Sequence, residues 1–522
     1  MQQRQVTHPP VTNPEPLPSG AVGQPLPHDS AHLHATGLAR YVDDVPEPPG
    51  TVQIYLALSA VAHGAIAALD VSAVRSAPGV VGVMTAADIP GVNDCGPTLE
   101  HDDPVLADGI VHYRGQPIFA VAAETVQAAR AAAKHAKIDY APRAAIITLD
   151  EAMAAGSRLS PPVVWARGDV TEALARAPRR LSGQMDIGGQ EHFYLEPQAA
   201  LAIPGEGGDV RVISSTQHPS EVQHKVAEAL GRQRHSVVVE VRRMGGGFGG
   251  KESQANLPAI IAALMAQKTG RPAKIVYDRD DDFIITGKRH DFRMAWDVGF
   301  DDAGRILALD VTQHARCGFS FDLSTAICDR AMLHADNAYF VPAMRVLSHR
   351  WRTNTQSNTA FRGFGGPQGL VAMERIIESV ARAAGLDASE VRARNFYAHK
   401  STPEAQRQTT HYGMRVDDCI AQDLFAELAQ SSDYVARRAA INAFNAQSPV
   451  LKRGLAMTPV KFGISFTKTE YNQAGALVHV YTDGSVMLNH GGTEMGQGLN
   501  QKVAQVVAEV FGLSIDSIKV TA

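Results

Sequence analysis

MGGGFGGKES, residues 244–253, matches two phosphate-binding patterns at the same time. Gly245, Gly247 and Gly250 form the G-x-G-x-x-G fingerprint of dinucleotide-binding proteins. The run from Gly245 to Lys251 also fits most of the P-loop pattern. Because the two patterns imply different folds and ligands, the residues after the loop decide whether either one applies.

Those following residues disfavour both patterns. A P-loop needs Ser or Thr directly after the lysine as a ligand of Mg²⁺, but this chain has Glu252 there, whose carboxylate would repel nucleotide phosphates. A dinucleotide-binding fold needs an acidic residue about 20 positions further on. The acidic run YDRDDD at 277–282 comes too late for that role.

The loop lies between a predicted strand at 235–244 and a predicted helix at 256–270. Two further glycine loops, AFRGFGGPQG at 360–369 and HGGTEMGQGLN at 490–500, also precede predicted helices. Helix N-termini direct unpaired backbone N–H groups at anions. One such loop is more often ordinary turn chemistry. Three loops, with GFGG in two of them, favour convergence on one large, highly charged ligand.

Composition excludes several functional classes. The 522 residues predict two to four domains, and the net charge of -5 gives no reason to expect nucleic acid or a membrane surface as partner. No apolar run approaches the ~20 residues that span a bilayer. The four cysteines form no C-x-x-C pair, which argues against an iron–sulfur cluster or structural zinc on this chain. So few thiols fit a cytoplasmic location.

Strand and helix patterns divide the chain into five parts. The expected parts are a polar, Pro-rich disordered tail at 1–25, an α/β domain at 26–145, a linker at 146–165, a larger α/β domain at 166–440 and a final unit at 441–522. The chain ends directly after the strand-like SIDSIKVTA. We expect that strand to lack a partner and the final unit to be incomplete.

Several longer motifs resemble the molybdenum-binding subunit of the xanthine dehydrogenase family, and the resemblance covers about residues 25–522. The motifs are HATGLARYVDD (34–44), GGQEHFYLE (188–196), RRMGGGFGGKES (242–253), CDRAMLHAD (328–336), TQSNTAFRGFGGPQG (355–369), KFGISFT (461–467), NQAGALVHVYTDGSV (472–486) and HGGTEMGQG (490–498).

The resemblance implies an α+β and α/β fold, in which an N-terminal hammerhead domain precedes molybdenum-cofactor-binding domains, the last of them incomplete. It implies a molybdenum–pterin cofactor, molybdopterin, and hydroxylation of purines, from hypoxanthine to xanthine to urate, with water as the oxygen source. It also implies a small subunit that carries FAD and two [2Fe–2S] clusters and passes electrons on to NAD, in a heterotetramer. Because the cofactor supplies the sulfur ligands, no cysteine cluster is needed.

The same resemblance assigns cofactor contacts to three glycine loops and one polar side chain. Gln217 would donate a hydrogen bond from its amide to the oxo group of the metal, as a contact outside the metal's own ligand set. The other cofactor-binding residues implied by the resemblance are Phe248, Gly249, Arg362, Gly496 and Gln497.

Glu252 and Arg330 are the catalytic residues that the resemblance implies. Arg330 would stabilise negative charge on a ring carbonyl, and Glu252 would hydrogen-bond a ring nitrogen at the other end. Phe364 and Phe466 would hold the purine, one ring by stacking and the other by its edge. Taken alone, each of these residues has an ordinary structural explanation.

Two departures leave alternatives open. Glu470 and Tyr471 stand where apolar residues are expected, which leaves the preferred purine undecided. No position matches the general-base glutamate expected near the end of a longer subunit, so we expect this chain alone to be inactive. The alternatives are a non-catalytic truncated scaffold and an aldehyde-oxidising molybdenum hydroxylase, the latter disfavoured by the charges of Glu252 and Arg330.

Overall fold

The computed structural model describes residues 20–521, and the strand expected at 235–244 is present in it as a shorter strand over Val237–Glu240. The strands, in chain order, are β1 (Val52–Leu58), β2 (Gly64–Asp70), β3 (Val80–Thr85), β4 (Ile110–Val111), β5 (Pro117–Ala123), β6 (Lys137–Pro142), β7 (Arg158–Arg167), β8 (Arg179–Ile187), β9 (Ala199–Pro204), β10 (Val210–Ser214), β11 (Val237–Glu240), β12 (Ala273–Val276), β13 (Phe292–Phe300), β14 (Ile306–Gly318), β15 (Ala343–Arg352), β16 (Ala476–Val480), β17 (Val486–His490) and β18 (Ile518–Thr521).

The α-helices alternate with these strands in the first 300 residues and dominate the chain after β15. They are α1 (Ala31–Thr36), α2 (Ser72–Arg75), α3 (Val126–Ala133), α4 (Leu149–Ala155), α5 (Val170–Arg176), α6 (Pro219–Leu230), α7 (Asn256–Thr269), α8 (Arg279–Ile285), α9 (Ser324–Leu333), α10 (Gly366–Ala384), α11 (Ala388–Asn395), α12 (Ala421–Ser431), α13 (Tyr434–Gln447) and α14 (Leu499–Phe511).

A mixed seven-stranded sheet joins the N-terminal domain to the region that follows it. Its strand order is β11-β10-β9-β12-β1-β5-β3, and the junction is the parallel pair β1–β12, in which Val52 lies opposite Ala273. Helix α7 packs against this sheet and against α6, and its residues from Pro258 to Ala266 are buried all round. A helix that is apolar on every side belongs in the interior, so α7 forms the centre of the largest core.

A second sheet, β7-β15-β14-β13-β8, supports the second glycine loop. Helix α10 packs on it together with α9, and the buried residues of α10 recur at helical spacing, at Ala372, Met373, Ile376, Ile377 and Val380. Because α10 starts at Gly366, the last glycine of GFGG, the packing of its apolar face determines the position of that loop. A small sheet, β4-β2-β6, completes the N-terminal domain.

The last unit contains the sheet β16-β17-β18 and helix α14. Its final strand is not unpaired, contrary to the expectation from the sequence, since β18 pairs in parallel with β17, with Val486 opposite Ile518. A parallel pair needs a crossover connection, and α14 supplies it. Its apolar face packs against β18 and the buried Leu488 of β17.

Regular secondary structure runs across two of the expected boundaries. The linker expected at 146–165 contains α4 and most of β7, which is an edge strand of the second sheet. The boundary expected at residue 440 falls inside α13. Of the tail expected at 1–25, residues 1–19 lie outside the described residues. Residues 20–25 contact α14, where Gln505 Nε2 donates to Ala21 O at 2.7 Å.

No helix among residues 20–521 is long and apolar enough to cross a membrane.

We predict that Ile261→Ala in α7 lowers the free energy of unfolding by roughly 2–5 kcal/mol, because it leaves a cavity in the largest core. The matched control is Val238→Ala in β11, whose side chain is 53% exposed and should change stability by roughly 0.5 kcal/mol or less. Denaturant unfolding of both variants checks the difference. Equal losses would contradict the central position of α7.

Candidate cofactor and substrate site

The three glycine loops meet at one open cavity of about 620 Å³. Most of the candidate residues from the sequence line it, although they come from distant parts of the chain. The cavity is lined by Gln217, Phe248, Gly249, Glu252, Ala360, Phe361, Arg362, Gly363, Phe364, Met495, Gly496 and Gln497. The predicted convergence of the loops on one place is therefore present in the structure.

Backbone hydrogen bonds tie the three loops together. Arg362 of the second loop donates its N–H to the carbonyl of Phe248 in the first loop at 2.9 Å. Met244, at the start of the first loop, donates to the carbonyl of Glu494 in the third loop at 2.9 Å. The first loop thus lies between the other two, and the cavity walls are held together by the protein itself.

The two GFGG sequences share the backbone conformation of their central Phe-Gly pair and differ at the first glycine, where Gly363 has φ of +95° and Gly247 has no positive φ. Phe248 and Phe364 both have φ near +50°, and the glycines that follow them, Gly249 and Gly365, both have φ of +95°. A left-handed bulky residue is unfavourable and is maintained only by its surroundings. Glycine is required next to each because a Cβ on Gly249 would lie 2.7 Å from Ala360 O.

Gln217 lies beneath the first loop with its amide orientation determined by that loop. Its Oε1 accepts hydrogen bonds from the N–H groups of Gly249 at 2.8 Å and Lys251 at 3.3 Å. Since both partners are donors, the amide NH₂ points away from them, and it has no acceptor among residues 20–521. The cavity therefore receives a hydrogen-bond donor from Gln217.

Lys251 does not face the cavity, which excludes the P-loop arrangement directly. Its side chain is completely buried, and its Nζ donates to Glu196 O at 2.7 Å and to Ser215 Oγ at 2.8 Å. Glu196 also accepts the N–H of Gly245 at 2.7 Å through Oε2. The ammonium group of Lys251 therefore bonds to the protein interior and is not available to a ligand in the cavity.

Arg362 supplies positive charge to the cavity. The residue is exposed, and its guanidinium has no hydrogen-bond or ion-pair partner among the described residues. A planar guanidinium matches the geometry of phosphate and oxo oxygens. Arg362 and the Gln217 amide both line the cavity and both offer hydrogen-bond donors to an anionic group.

The third loop differs from the expected anion cradle. The carboxylate of Glu494 accepts the N–H groups of Gly496 at 2.8 Å and Gly498 at 3.1 Å, and its Oε1 lies 3.3 Å from His28 Nε2. An internal carboxylate therefore occupies the position of the anion. The side chain of Gln497 also turns back, accepting from Met495 N and donating to Thr493 O.

Glu252 is a half-buried carboxyl group on the cavity wall. Burial raises its pKa from 4.5 to about 7, and the nearby Glu221 adds to the shift. No hydrogen bond to its carboxylate is present among residues 20–521. Near neutral pH the group is therefore partly protonated and can either donate or accept a hydrogen bond to a ligand.

Arg330 and Phe466 lie beside the cavity and do not line it. The Arg330 guanidinium lies 5.8 Å from the ring centroid of Phe364, and burial lowers the pKa of Arg330. The ring centroids of Phe364 and Phe466 are 5.0 Å apart and tilted by 53°. Phe364 is thus the contact through which both residues reach the cavity.

Sequence reasoning missed three large aromatic or apolar residues of the site, besides Ala360 and Gly363 of the cavity wall. Phe361 and Met495 line the cavity, and Phe462 lies 5.3 Å from the Arg330 guanidinium. Phe361 is covered by the guanidinium of Arg289 at 4.0 Å. All three missed residues are inside or next to motifs already singled out, so proximity to those motifs was the available signal.

Comparison with family models divides the chain into three matched regions. Residues 36–144 match the aldehyde oxidase and xanthine dehydrogenase a/b hammerhead domain. Residues 155–396 and 427–522 match two molybdopterin cofactor-binding domains. The three glycine loops are distributed over the two molybdopterin-binding regions.

Curated relatives match over nearly the whole chain. A xanthine dehydrogenase of Oryza sativa subsp. japonica is 43% identical over 502 residues, which cover 95% of this chain and 36% of that protein. A xanthine dehydrogenase/oxidase of Mus musculus is 42% identical over 501 residues, which cover 96% of this chain and 37% of that protein. The chain thus spans little more than a third of the length of these relatives.

Solved structures share the fold at lower sequence identity. Quinoline 2-oxidoreductase from Pseudomonas putida 86 has a TM-score of 0.84 at 23% identity, over 96% of this chain and 66% of that one. An aldehyde oxidoreductase from Desulfovibrio desulfuricans has a TM-score of 0.82 at 22% identity, over 95% and 56% respectively.

We predict that Gly249→Ala separates the first two loops, because the new Cβ meets Ala360 O at 2.7 Å. The control is Gly413→Ala, where φ is also positive, at +89°, but a Cβ meets open space. Both variants carry the cost of a left-handed alanine, so a larger loss of thermal stability in Gly249→Ala isolates the close approach. Equal melting temperatures of the two variants would contradict it.

We also predict that Glu252→Gln changes how stability depends on pH. Because the unfolded chain loses the Glu252 proton near pH 4.5 and the folded chain only near pH 7, ionisation of this group opposes folding. The wild type should therefore lose stability relative to Glu252→Gln as pH rises through this window, and then stay level. Denaturant unfolding at about pH 5 and about pH 8 measures this, and parallel behaviour of the two proteins would refute it.

Proposed function

We propose that this chain, which belongs to the xanthine dehydrogenase family and corresponds to the molybdopterin-binding part of its members, carries the site of purine hydroxylation. In the complete enzyme, hypoxanthine would be converted to xanthine and xanthine to urate, with water as the oxygen source. The proposal is supported most by one observation: the carboxyl group of Glu252 lines the same cavity as the ring of Phe364, and the guanidinium of Arg330 lies 5.8 Å from the centroid of that ring.

The residues of the cavity fit a molybdopterin cofactor. The unpaired amide NH₂ of Gln217 suits an oxo oxygen, and the unpaired guanidinium of Arg362 suits oxo or phosphate oxygens. Phe248 and Gly249 present backbone at the same wall. When bound, the molybdenum centre supplies oxygen transfer and accepts two electrons from the substrate. The protein's own contribution is to bind, orient and stabilise charge.

Glu252 and Arg330 complement the two polar ends of a purine. Arg330 stays cationic and stabilises the negative charge that develops on a ring carbonyl. Glu252, whose pKa is raised to about 7 by burial, hydrogen-bonds a ring nitrogen in either protonation state. An aliphatic or simple aromatic aldehyde offers neither group, which favours purines over aldehydes as substrates.

The aromatic pair Phe364 and Phe466 bounds the substrate position. Their centroid separation of 5.0 Å already falls within the range of a direct aromatic contact, about 4.5–7 Å. A purine between them therefore requires the rings to separate. The ring of Tyr471 lies 5.4 Å from that of Phe466 and extends the aromatic row, and its hydroxyl donates to Pro97 O at 3.4 Å.

We also propose that electrons leave through a partner that carries FAD and two [2Fe–2S] clusters, on a separate subunit in a heterotetramer, and finally reduce NAD. Substrate oxidation leaves two electrons at the cofactor, so an acceptor is required. Of the four cysteines, Cys95, Cys317 and Cys328 are buried, and the thiols of Cys317 and Cys328 hydrogen-bond each other. Two adjacent thiols do not supply the four ligands of a [2Fe–2S] cluster, so the cysteines offer no cluster site among residues 20–521.

Purification of the chain with its native partner tests the proposal. We expect about one molybdenum per chain and reduction of a dye that depends on hypoxanthine or xanthine. Protein without molybdenum would favour a non-catalytic scaffold. Protein that holds molybdenum and turns over aldehydes but not purines would overturn the substrate assignment and leave the cofactor assignment intact.

We predict that Arg330→Met lowers purine turnover per bound molybdenum by ~10²–10³, because a transition-state donor is lost. Aldehyde turnover should change little, since no ring carbonyl needs stabilisation. The control is Arg345→Met, which removes an exposed arginine paired with Asp310 in the second sheet. Purine turnover of Arg330→Met equal to that of the control would show that Arg330 has no substrate role.

A further inference from the structure

An irregular segment, residues 459–467, lies across α9 and the turn that follows it. We refer to it as the strap. Its Lys461 N–H donates to Asn337 Oδ1 at 3.1 Å, and its Thr467 hydroxyl donates to Ala326 O at 2.7 Å. The strap therefore contacts both ends of the helix that carries Arg330.

A closed ring of hydrogen bonds joins Arg330, His334 and the strap residue Gly463. The Arg330 guanidinium donates through Nη1 to Gly463 O. The Gly463 N–H donates to His334 Nε2 at 3.2 Å, and His334 Nδ1 donates to Arg330 O at 2.9 Å. Because Nε2 must accept, the proton of the neutral imidazole is on Nδ1. The position of each of these three residues therefore depends on its hydrogen bonds to the other two.

The ring determines where the Arg330 side chain points. Arg330 is 3% exposed, and its Nε has no hydrogen-bond partner. Its guanidinium lies between the rings of Phe364, at 5.8 Å, and Phe462, at 5.3 Å. Among the described residues, this guanidinium donates its hydrogen bond to the Gly463 carbonyl. Movement of Gly463 would therefore release the cation.

We infer that His334 is a positioning residue for the substrate site, which acts through Gly463 on the guanidinium of Arg330. The inference deepens the proposed function and rests on it for the role of Arg330. His334 does not line the cavity and touches no reacting atom. Its effect should be specific to substrates that need Arg330.

The surroundings of His334 keep the required neutral form. Burial lowers the pKa of His334, although its hydrogen bond to Arg330 O acts in the opposite direction. The positive charges of Arg330 and Lys461 also lower it, and Asp336 raises it. In a protonated imidazole, Nε2 would carry a hydrogen that faces the Gly463 N–H. The hydrogen bond between the two residues would then be lost.

A buried ion pair holds the strap from its other end. Lys461 Nζ lies 2.7 Å and 2.6 Å from the two carboxylate oxygens of Asp336, which is 1% exposed and also accepts the Tyr397 hydroxyl at 2.6 Å. Lys461→Met therefore displaces the strap and leaves the His334 side chain in place, although it also removes a positive charge that lowers the pKa of His334. It provides a second perturbation of the same contact.

The first test measures amide exchange in the chain without cofactor. His334→Phe should speed exchange in the strap by roughly tenfold, since it removes the acceptor of the Gly463 N–H. His334→Gln, which keeps an acceptor near the position of Nε2, should restore part of the protection. The control is His235→Phe, at an exposed histidine bonded only to Gln233. Unchanged exchange in His334→Phe would overturn the inference.

The second test uses the molybdenum-loaded enzyme with its partner. His334→Phe should lower the kcat for purines at least tenfold per bound molybdenum and leave aldehyde turnover within about twofold, with partial rescue by His334→Gln. Lys461→Met should give the same selectivity if His334→Phe does not fold. Equal loss for both substrates would show a merely structural role and overturn the inference. If the wild type turned over no purine, the proposed function would be wrong. The amide-exchange result would still show whether His334 holds Gly463.

Discussion

The buried contact between Lys251 and Glu196 supports the rest of the site. The ammonium is fully enclosed, with Glu196 O and Ser215 Oγ as acceptors and Glu196 Oε2 at 3.4 Å. The same carboxylate accepts the N–H groups of Gly245 and of Val42, which lies near the start of the chain. Removing one member of such a buried pair leaves an uncompensated charge and is strongly destabilising. The first glycine loop is therefore attached to the core from below.

The direction of Lys251 explains how the cavity can bind a large anion without a lysine. Burial lowers the pKa of Lys251 to about 8, and Glu196 opposes the shift. With the lysine turned inward, the upper side of the loop presents backbone, the Gln217 amide beneath Gly249 and the guanidinium of Arg362. This arrangement leaves room for a planar, multiply charged cofactor, and it restricts specific contacts to a few oriented donors.

Close approach of backbones is the second constraint on the site. Gly365 packs so tightly that a Cβ would lie 2.0 Å from Ile327 O of α9, and Gly249 has a similar contact with Ala360 O. Because of these close approaches, the second loop packs against α9 and the first loop packs against the second. They also hold Phe248 and Phe364 in left-handed conformations, at a cost of roughly 1–3 kcal/mol each. The strained residues Phe248 and Phe364 therefore both line the cavity.

Much of the fold and part of the site could be inferred from the order of residues, because these features depend on local periodicity and local conformation. Strand β5, helix α7 with its stop at Gly270, and the two GFGG turns are examples. Other features depend on residues far apart in the chain, which no local pattern reports. The inward direction of Lys251, the capture of Gly496 and Gly498 by Glu494, and the partner of β18 are of this kind. So are the contact of His334 with Gly463 and the orientation of the Gln217 amide, since long-range packing alone brings those groups within hydrogen-bond distance.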